Sequence, residues 1–129
     1  MKTDFDVVVV GAGPSGTSAA YRLKRSGYRV LLVDRHTFPR VKSCGGGVSI
    51  KTLALIPWSA GSVIENAVKK VRIGLKTVRG PRFQVFEIDD YVCAFVVRTE
   101  FDRLNFEKTI ESGVEFAQKS AITELEEEE

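Results

Sequence analysis

Two glycine clusters, one acid and one thiol carry the chemistry open to this chain. Gly11, Gly13 and Gly16 have the spacing G-x-G-x-x-G in Gly11-Ala12-Gly13-Pro14-Ser15-Gly16. Backbone N–H groups of such a turn, placed at a helix start, hold the oxygens of a phosphate or diphosphate. Gly11 allows the turn, Gly13 lets an anion reach the backbone, and Gly16 lets a helix pack close. Asp34 follows about 20 residues on, where a carboxylate accepts hydrogen bonds from a ribose diol. Cys44-Gly45-Gly46-Gly47 is the second cluster. Three consecutive glycines are entropically costly unless strained angles or a close ligand demand them. Cys44 sets a thiol beside that nest. Arg35, Arg40 and Lys42 lie between the clusters and supply cations next to the phosphate turn. His36, the sole histidine, has no catalytic pattern around it and reads as a surface loop residue.

These residues need elements to hold them. Val7–Val10 is a short β-branched run bounded by glycine, which predicts a buried strand. A helix fits Pro14–Ser26, with Ala19, Ala20 and Leu23 inside and Gly27 just past its end. Arg29–Val33 is a second β-branched run, and Asp34 closes it. Strand, glycine turn, helix, strand and acid in about 30 residues form the dinucleotide-binding pattern. Farther on, Ser49 is placed to cap a short helix, Ile50–Ile56, which Pro57 ends. Trp58–Asn66 reads as a connection. The period then becomes two, predicting an antiparallel meander. Its strands are Val68–Lys76, Arg82–Ile88 and Tyr91–Val97, with turns at Val78–Pro81 and Asp89–Asp90. Cys93 reads as core, and Arg98 ends the third strand. Thr99-Glu100-Phe101-Asp102 has the form of a capping box. The helix it opens runs to Ser112, with Phe101, Leu104, Phe106 and Ile110 apolar and Gly113 closing it. Val114–Ala117 and Ala121–Leu125 read as short strands.

The expected fold class is α/β: a Rossmann-like βαβ unit with an inserted antiparallel β-meander, which the family resemblance given below makes an incomplete FAD/NAD(P)-binding domain. Residues 1–67 and 98–129 are expected to form the nucleotide-binding part, and 68–97 the start of a second layer. The 129 residues suffice for one ordinary domain, with 43% hydrophobic and 28% charged content typical of globular chains. No apolar run approaches the roughly 18 residues of a membrane span. Asp4 and Asp6 lead directly into a strand, so a signal peptide is not expected and the cytoplasm is. A net charge of +2 argues against a nucleic-acid partner. Glu126–Glu129 read as a solvated acidic tail. The two cysteines lack metal-site spacing, and a structural disulfide is not expected in that compartment.

Three blocks carry a resemblance. They are Asp6–Asp34, then Phe38-Pro39-Arg40-Val41-Lys42-Ser43-Cys44-Gly45-Gly46-Gly47-Val48-Ser49, then Val97-Arg98-Thr99-Glu100-Phe101-Asp102-Arg103-Leu104. In this order the chain resembles the geranylgeranyl reductase family of FAD-dependent oxidoreductases, within the p-hydroxybenzoate hydroxylase-like flavoproteins. The second block, similar to the family's F-P-R-x-K-x-C-G-G-G, discriminates. The resemblance implies that Ser15, Asp34, Cys44, Gly45, Gly47, Arg98 and Ala121 lie on FAD. Gly11, Gly13, Pro14, Gly16, Arg35, Arg40 and Gly46 complete the expected cofactor site, and Arg98 offers a planar fork that lysine lacks. Cys44 is the candidate for positioning or proton delivery.

The implied reaction saturates carbon–carbon double bonds of geranylgeranyl chains, with NAD(P)H or ferredoxin as electron donor. An isoprenoid lipid with an anionic head also implies peripheral membrane contact. A flavin monooxygenase or halogenase of the same larger group suits the first and third blocks equally. A non-catalytic nucleotide-binding module that needs a partner is a third reading. The resemblance covers the front third of a family member, and the family's later G-D motif has no counterpart here. The expectation is a fragment that lacks a C-terminal half, holds FAD weakly and turns over little.

Overall fold

The computed structural model describes residues 4–87 and 89–126. In chain order the elements are β1 (Val7–Val10), α1 (Pro14–Arg25), β2 (Val30–Val33), β3 (Gly47–Ser49) and α2 (Ile50–Leu55). A 3-10 turn, Gly61–Val63, leads to β4 (Ile64–Val68), β5 (Lys70–Thr77) and β6 (Gly80–Glu87). β7 (Cys93–Val96), α3 (Arg98–Glu111) and β8 (Glu115–Ala117) follow. The fold is mixed α/β, as expected. It divides into two compact units: Met1–Lys42 with Thr99–Glu129, and Ser43–Arg98. The division falls at Lys42, whereas the sequence reading put it after residue 67.

The first unit is a parallel sheet in the order β1-β2-β8. Val7 pairs with Val30 and Val10 with Val33, while Leu31 pairs with Glu115 and Val33 with Ala117. Ala12, Ala20, Val30, Leu32 and Val114 form its buried core. Burying a side chain such as Leu32 contributes roughly 1.5–3 kcal/mol. Phe38, Phe106 and Phe116 close one side: Phe38 stacks on Phe106 with ring centroids 4.7 Å apart, and Phe116 meets Phe106 edge-on at 4.8 Å. α1 ends as expected, with Gly27 at φ +94°. Two expectations fail here. β1 is an edge strand whose Val8 and Val10 are exposed, so it is half-buried on one face and open on the other. Ala19 is also exposed; α1 buries Thr17 and Ala20 instead.

α3 departs from the expected cap. The helix begins at Arg98, so Arg98 starts it rather than ending a strand, and Thr99 lies inside its first turn. Asp102 lies inside the helix, fully buried and paired with Arg40. Phe101, Asp102, Asn105 and Thr109 form the helix's buried stripe. Thr109 Oγ1 lies 3.2 Å from the Thr17 carbonyl oxygen, tying α3 to α1. Gly113, at φ +88°, closes the helix as expected. Ala121–Leu125 is exposed irregular chain, because no described strand offers it a partner. Of the acidic tail, residues 127–129 lie outside the described residues, as does Ile88.

The second unit corrects the meander. β7 is the middle strand of an antiparallel sheet ordered β3-β7-β4, and β5 pairs with β6 alone. The reason lies in the turns and in burial. Thr77 pairs with Gly80 across a two-residue turn, and Gly80 supplies φ +104°, which fixes β5 against β6. β7 buries Ala94 and Val96 and needs a strand on each edge. β3 supplies one from Gly47–Ser49, where no strand was expected, and β4 the other from Ile64–Val68, which begins inside the expected connection Trp58–Asn66. Cys93 is half-buried, less enclosed than a core residue. Ser49 caps α2 as expected, its Oγ accepting the Thr52 N–H at 3.1 Å.

Candidate functional site

The first glycine turn follows directly from β1. Gly11, at φ +100°, bends the chain away from the sheet while its N–H donates to the Val33 carbonyl at 2.7 Å. Gly13 is the N-cap of α1 and Pro14 its first residue, and no side chain caps the helix. The first-turn N–H groups and the positive end of the helix dipole are therefore left for an anion. A Cβ on Gly16 would strike the Gly11 carbonyl oxygen, with the carbonyl carbon 3.0 Å away. Only glycine fits there. Ser15 is exposed on the first turn.

Asp34 stands at the end of β2 and is 8% exposed. Its Oδ2 accepts the Ala12 N–H at 2.7 Å, so the acid is bonded to the glycine turn itself. Its Oδ1 accepts the His36 N–H at 2.8 Å and lies 3.1 Å from His36 Nδ1. A carboxylate offers about four acceptor positions, which leaves one for a ligand hydroxyl. Burial alone raises the Asp34 pKa. Hydrogen bonds from His36 and Ala12, with the charge of Arg40, outweigh it and hold the carboxyl below its ordinary range. A depressed folded-state pKa adds stability that is complete above the unfolded value, about 3.9, and lost as pH falls through the folded one. Urea unfolding should therefore show a steep acid limb below about pH 4. Asp34→Asn should flatten that limb and cost about 1.5–3 kcal/mol at pH 7, the scale of hydrogen bonds to a charged group. An unchanged limb would refute this account of Asp34.

Arg40 is brought to the same place. Its loop is anchored by Phe38, whose ring lies 5.2 Å below the guanidinium carbon. Arg40 Nη2 is 3.2 Å from Asp102 Oδ2, with the side chains 12% and 0% exposed. The same nitrogen lies 3.5 Å from the point where a Cβ on Gly13 would stand. Gly11, Gly13, Gly16, Asp34 and Arg40 thus gather in the first unit. Arg35 is exposed beside them, and Ala121 sits in the exposed irregular segment.

The second unit holds Cys44, Gly45, Gly46, Gly47 and Arg98. Gly46 is the constrained member. It has φ +72°, its carbonyl accepts the Val96 N–H at 3.0 Å, and a Cβ on it would strike the Val96 carbonyl oxygen. The Gly46 N–H faces Cys44 Sγ at 3.4 Å. Cys44 is exposed. Gly47 opens β3 opposite Phe95. No cluster of histidine, cysteine and carboxylate among the described residues could hold a metal. No helix of the described residues is long and apolar enough to cross a membrane.

The sequence reading missed Asp102 as a site residue. The signal was there: Asp102, Asn105 and Thr109 are polar at helical spacing on the face that also carries Phe101. A carboxylate on a buried helix face calls for a cation, and Arg40 in the second block was available.

Residues 6–127 match the family model for FAD dependent oxidoreductases. Digeranylgeranylglycerophospholipid reductase 1 of Methanopyrus kandleri is 34% identical over 87% of this chain and 29% of its own length. A solved geranylgeranyl bacteriochlorophyll reductase-like protein from Thermoplasma acidophilum aligns with a TM-score of 0.76 at 26% identity. That alignment covers 89% of this chain and 30% of that one. The halogenase PltM, solved with phloroglucinol and FAD, aligns with a TM-score of 0.67 at 16% identity, over 91% of this chain and 28% of that one. The last is a likeness of fold alone. The chain spans 29% of the length of the Methanopyrus relative.

Proposed function

We propose a function from one premise: the chain belongs to the FAD-dependent oxidoreductase family. The residues present fit that cofactor. The uncapped α1 start and the bare Gly13 backbone suit a diphosphate. Asp34 keeps an acceptor position for a ribose hydroxyl, and Arg40 adds a cation beside the turn. Cys44, Gly45, Gly46 and Gly47 are assigned to the ring end, Gly46 holding the backbone of that nest and Cys44 serving to position or to carry a proton. Bound FAD supplies hydride transfer, which no side chain can perform. The protein orients both partners and excludes water.

The substrate class we assign is an isoprenoid chain, whose carbon–carbon double bonds are saturated by a hydride and a proton. The 34% identity to the Methanopyrus digeranylgeranylglycerophospholipid reductase carries this reading. Peripheral contact with a lipid surface belongs to it, because a greasy substrate must be taken from one. The test is an anaerobic incubation of the protein with chemically reduced flavin and a geranylgeranyl lipid, followed by mass spectrometry. The expected product, formed at a low rate because the chain spans 29% of its relative's length, has gained one dihydrogen per saturated bond. Cys44→Ser should slow the reaction by more than any accompanying loss of flavin affinity accounts for. Oxygen-dependent attack on an aromatic substrate, with no anaerobic lipid product, would overturn the reading.

A further inference from the structure

We infer that Asp102 is a positioning residue that holds the Arg40 guanidinium against the Gly13 turn, in register for a nucleotide diphosphate. The inference rests on the FAD reading above and adds to it a residue that does not itself touch the cofactor. Arg40 carries a long, flexible side chain from a loop, yet it is 12% exposed and held on two sides. Phe38 lies under its plane and Asp102 grips its Nη2. That nitrogen also faces Gly13, so the ion pair sets the distance between cation and turn. Arg40 Nε is buried and has no hydrogen-bond partner among the described residues. A buried donor without a partner is costly, and the guanidinium that carries it faces the Gly13 N-cap, where the first N–H groups of α1 are uncapped. An anion in the turn would meet that guanidinium and those N–H groups together.

Stability alone is a poor reason for this pair, because buried ion pairs often contribute no more than apolar residues in their place. A geometric role accounts for its placement. It also accounts for the joining of distant segments: Arg40 comes from the second block and Asp102 from the third. An arginine fork selects its partner by orientation, so an anchor on one edge fixes what the other edge presents.

The experiment titrates the wild-type chain and its Arg40→Met, Asp102→Asn and double variants with FAD and with adenosine, which lacks phosphates. Circular dichroism checks each fold. Asp102→Asn should weaken FAD about tenfold, the scale at which a partner behind a ligand-holding group acts. It should leave adenosine affinity unchanged, and the double variant should be no weaker than Arg40→Met alone. Salt dependence of FAD binding should flatten equally in Arg40→Met and Asp102→Asn. Where Asp102→Asn does not fold, Asp102→Glu keeps the charge and displaces the carboxylate by one methylene. It should show the same selective loss to a smaller degree. FAD affinity at or above wild type in the variant would overturn the inference, as would equal losses for FAD and adenosine. Wild-type protein that binds no FAD would instead overturn the cofactor reading beneath it.

Discussion

Gly46→Ala is expected to destabilise the second unit by about 3 kcal/mol, the larger of two glycine effects. Two costs add. The residue sits at φ +72°, where an L side chain costs roughly 1–2 kcal/mol. Its new Cβ would then meet the Val96 carbonyl oxygen, with the carbonyl carbon at 3.2 Å. That oxygen is backbone and cannot swing away, so overpacking of about 1–3 kcal/mol follows. Relief would require pulling the chain off β7 where Gly46 and Val96 are hydrogen-bonded. The single tryptophan, Trp58, lies in this unit, so its emission during urea unfolding reads the change. Gly45→Ala is the control, since nothing stands within 4 Å of its Cβ position. Equal midpoints for the two variants would contradict the steric account.

Gly16→Ala is the second large effect, a net loss of about 2 kcal/mol in the first unit. Alanine in a helix interior is favoured over glycine by about 1 kcal/mol, so propensity argues the other way. The clash with the Gly11 carbonyl outweighs it, because both the turn and the first turn of α1 are fixed. Gly13→Ala separates folding from binding. Its Cβ would stand 3.5 Å from Arg40 Nη2, an ordinary contact, so stability should fall by no more than about 1 kcal/mol, the scale of alanine at an N-cap. FAD affinity should nevertheless fall, because the methyl group occupies the approach to the helix N-terminus. If Gly13→Ala unfolds and Gly16→Ala does not, these roles are assigned the wrong way round.

The opening βαβ unit was legible because its signals are local. Two β-branched runs, a glycine turn and a left-handed glycine stop each act within a few residues, and β1, α1 and β2 formed within a residue or two of expectation. The cap at Ser49 was readable for the same reason. What escaped depends on distant partners. β3 contains a glycine and β4 a polar stretch, and each is a strand only because β7 lies between them. Thr99–Asp102 had a correct local pattern, yet the helix began earlier and Asp102 was drawn to Arg40. The glycine turn and Asp34 were found as separate features; their bond through the Ala12 N–H was not, because it joins residues 22 positions apart.

The parallel pairing of β2 with β8 has a consequence for how the protein is made. Leu32 and Phe116 are partners, yet the ribosome delivers the second about 80 residues after the first. At about 5–20 residues per second, that gap lasts on the order of ten seconds. Throughout it, the nascent β2 offers an unpaired edge, Leu31–Val33, to any other extended chain nearby. Slower translation through residues 43–98 should therefore lower soluble yield, and a chaperone that covers nascent strands should restore it.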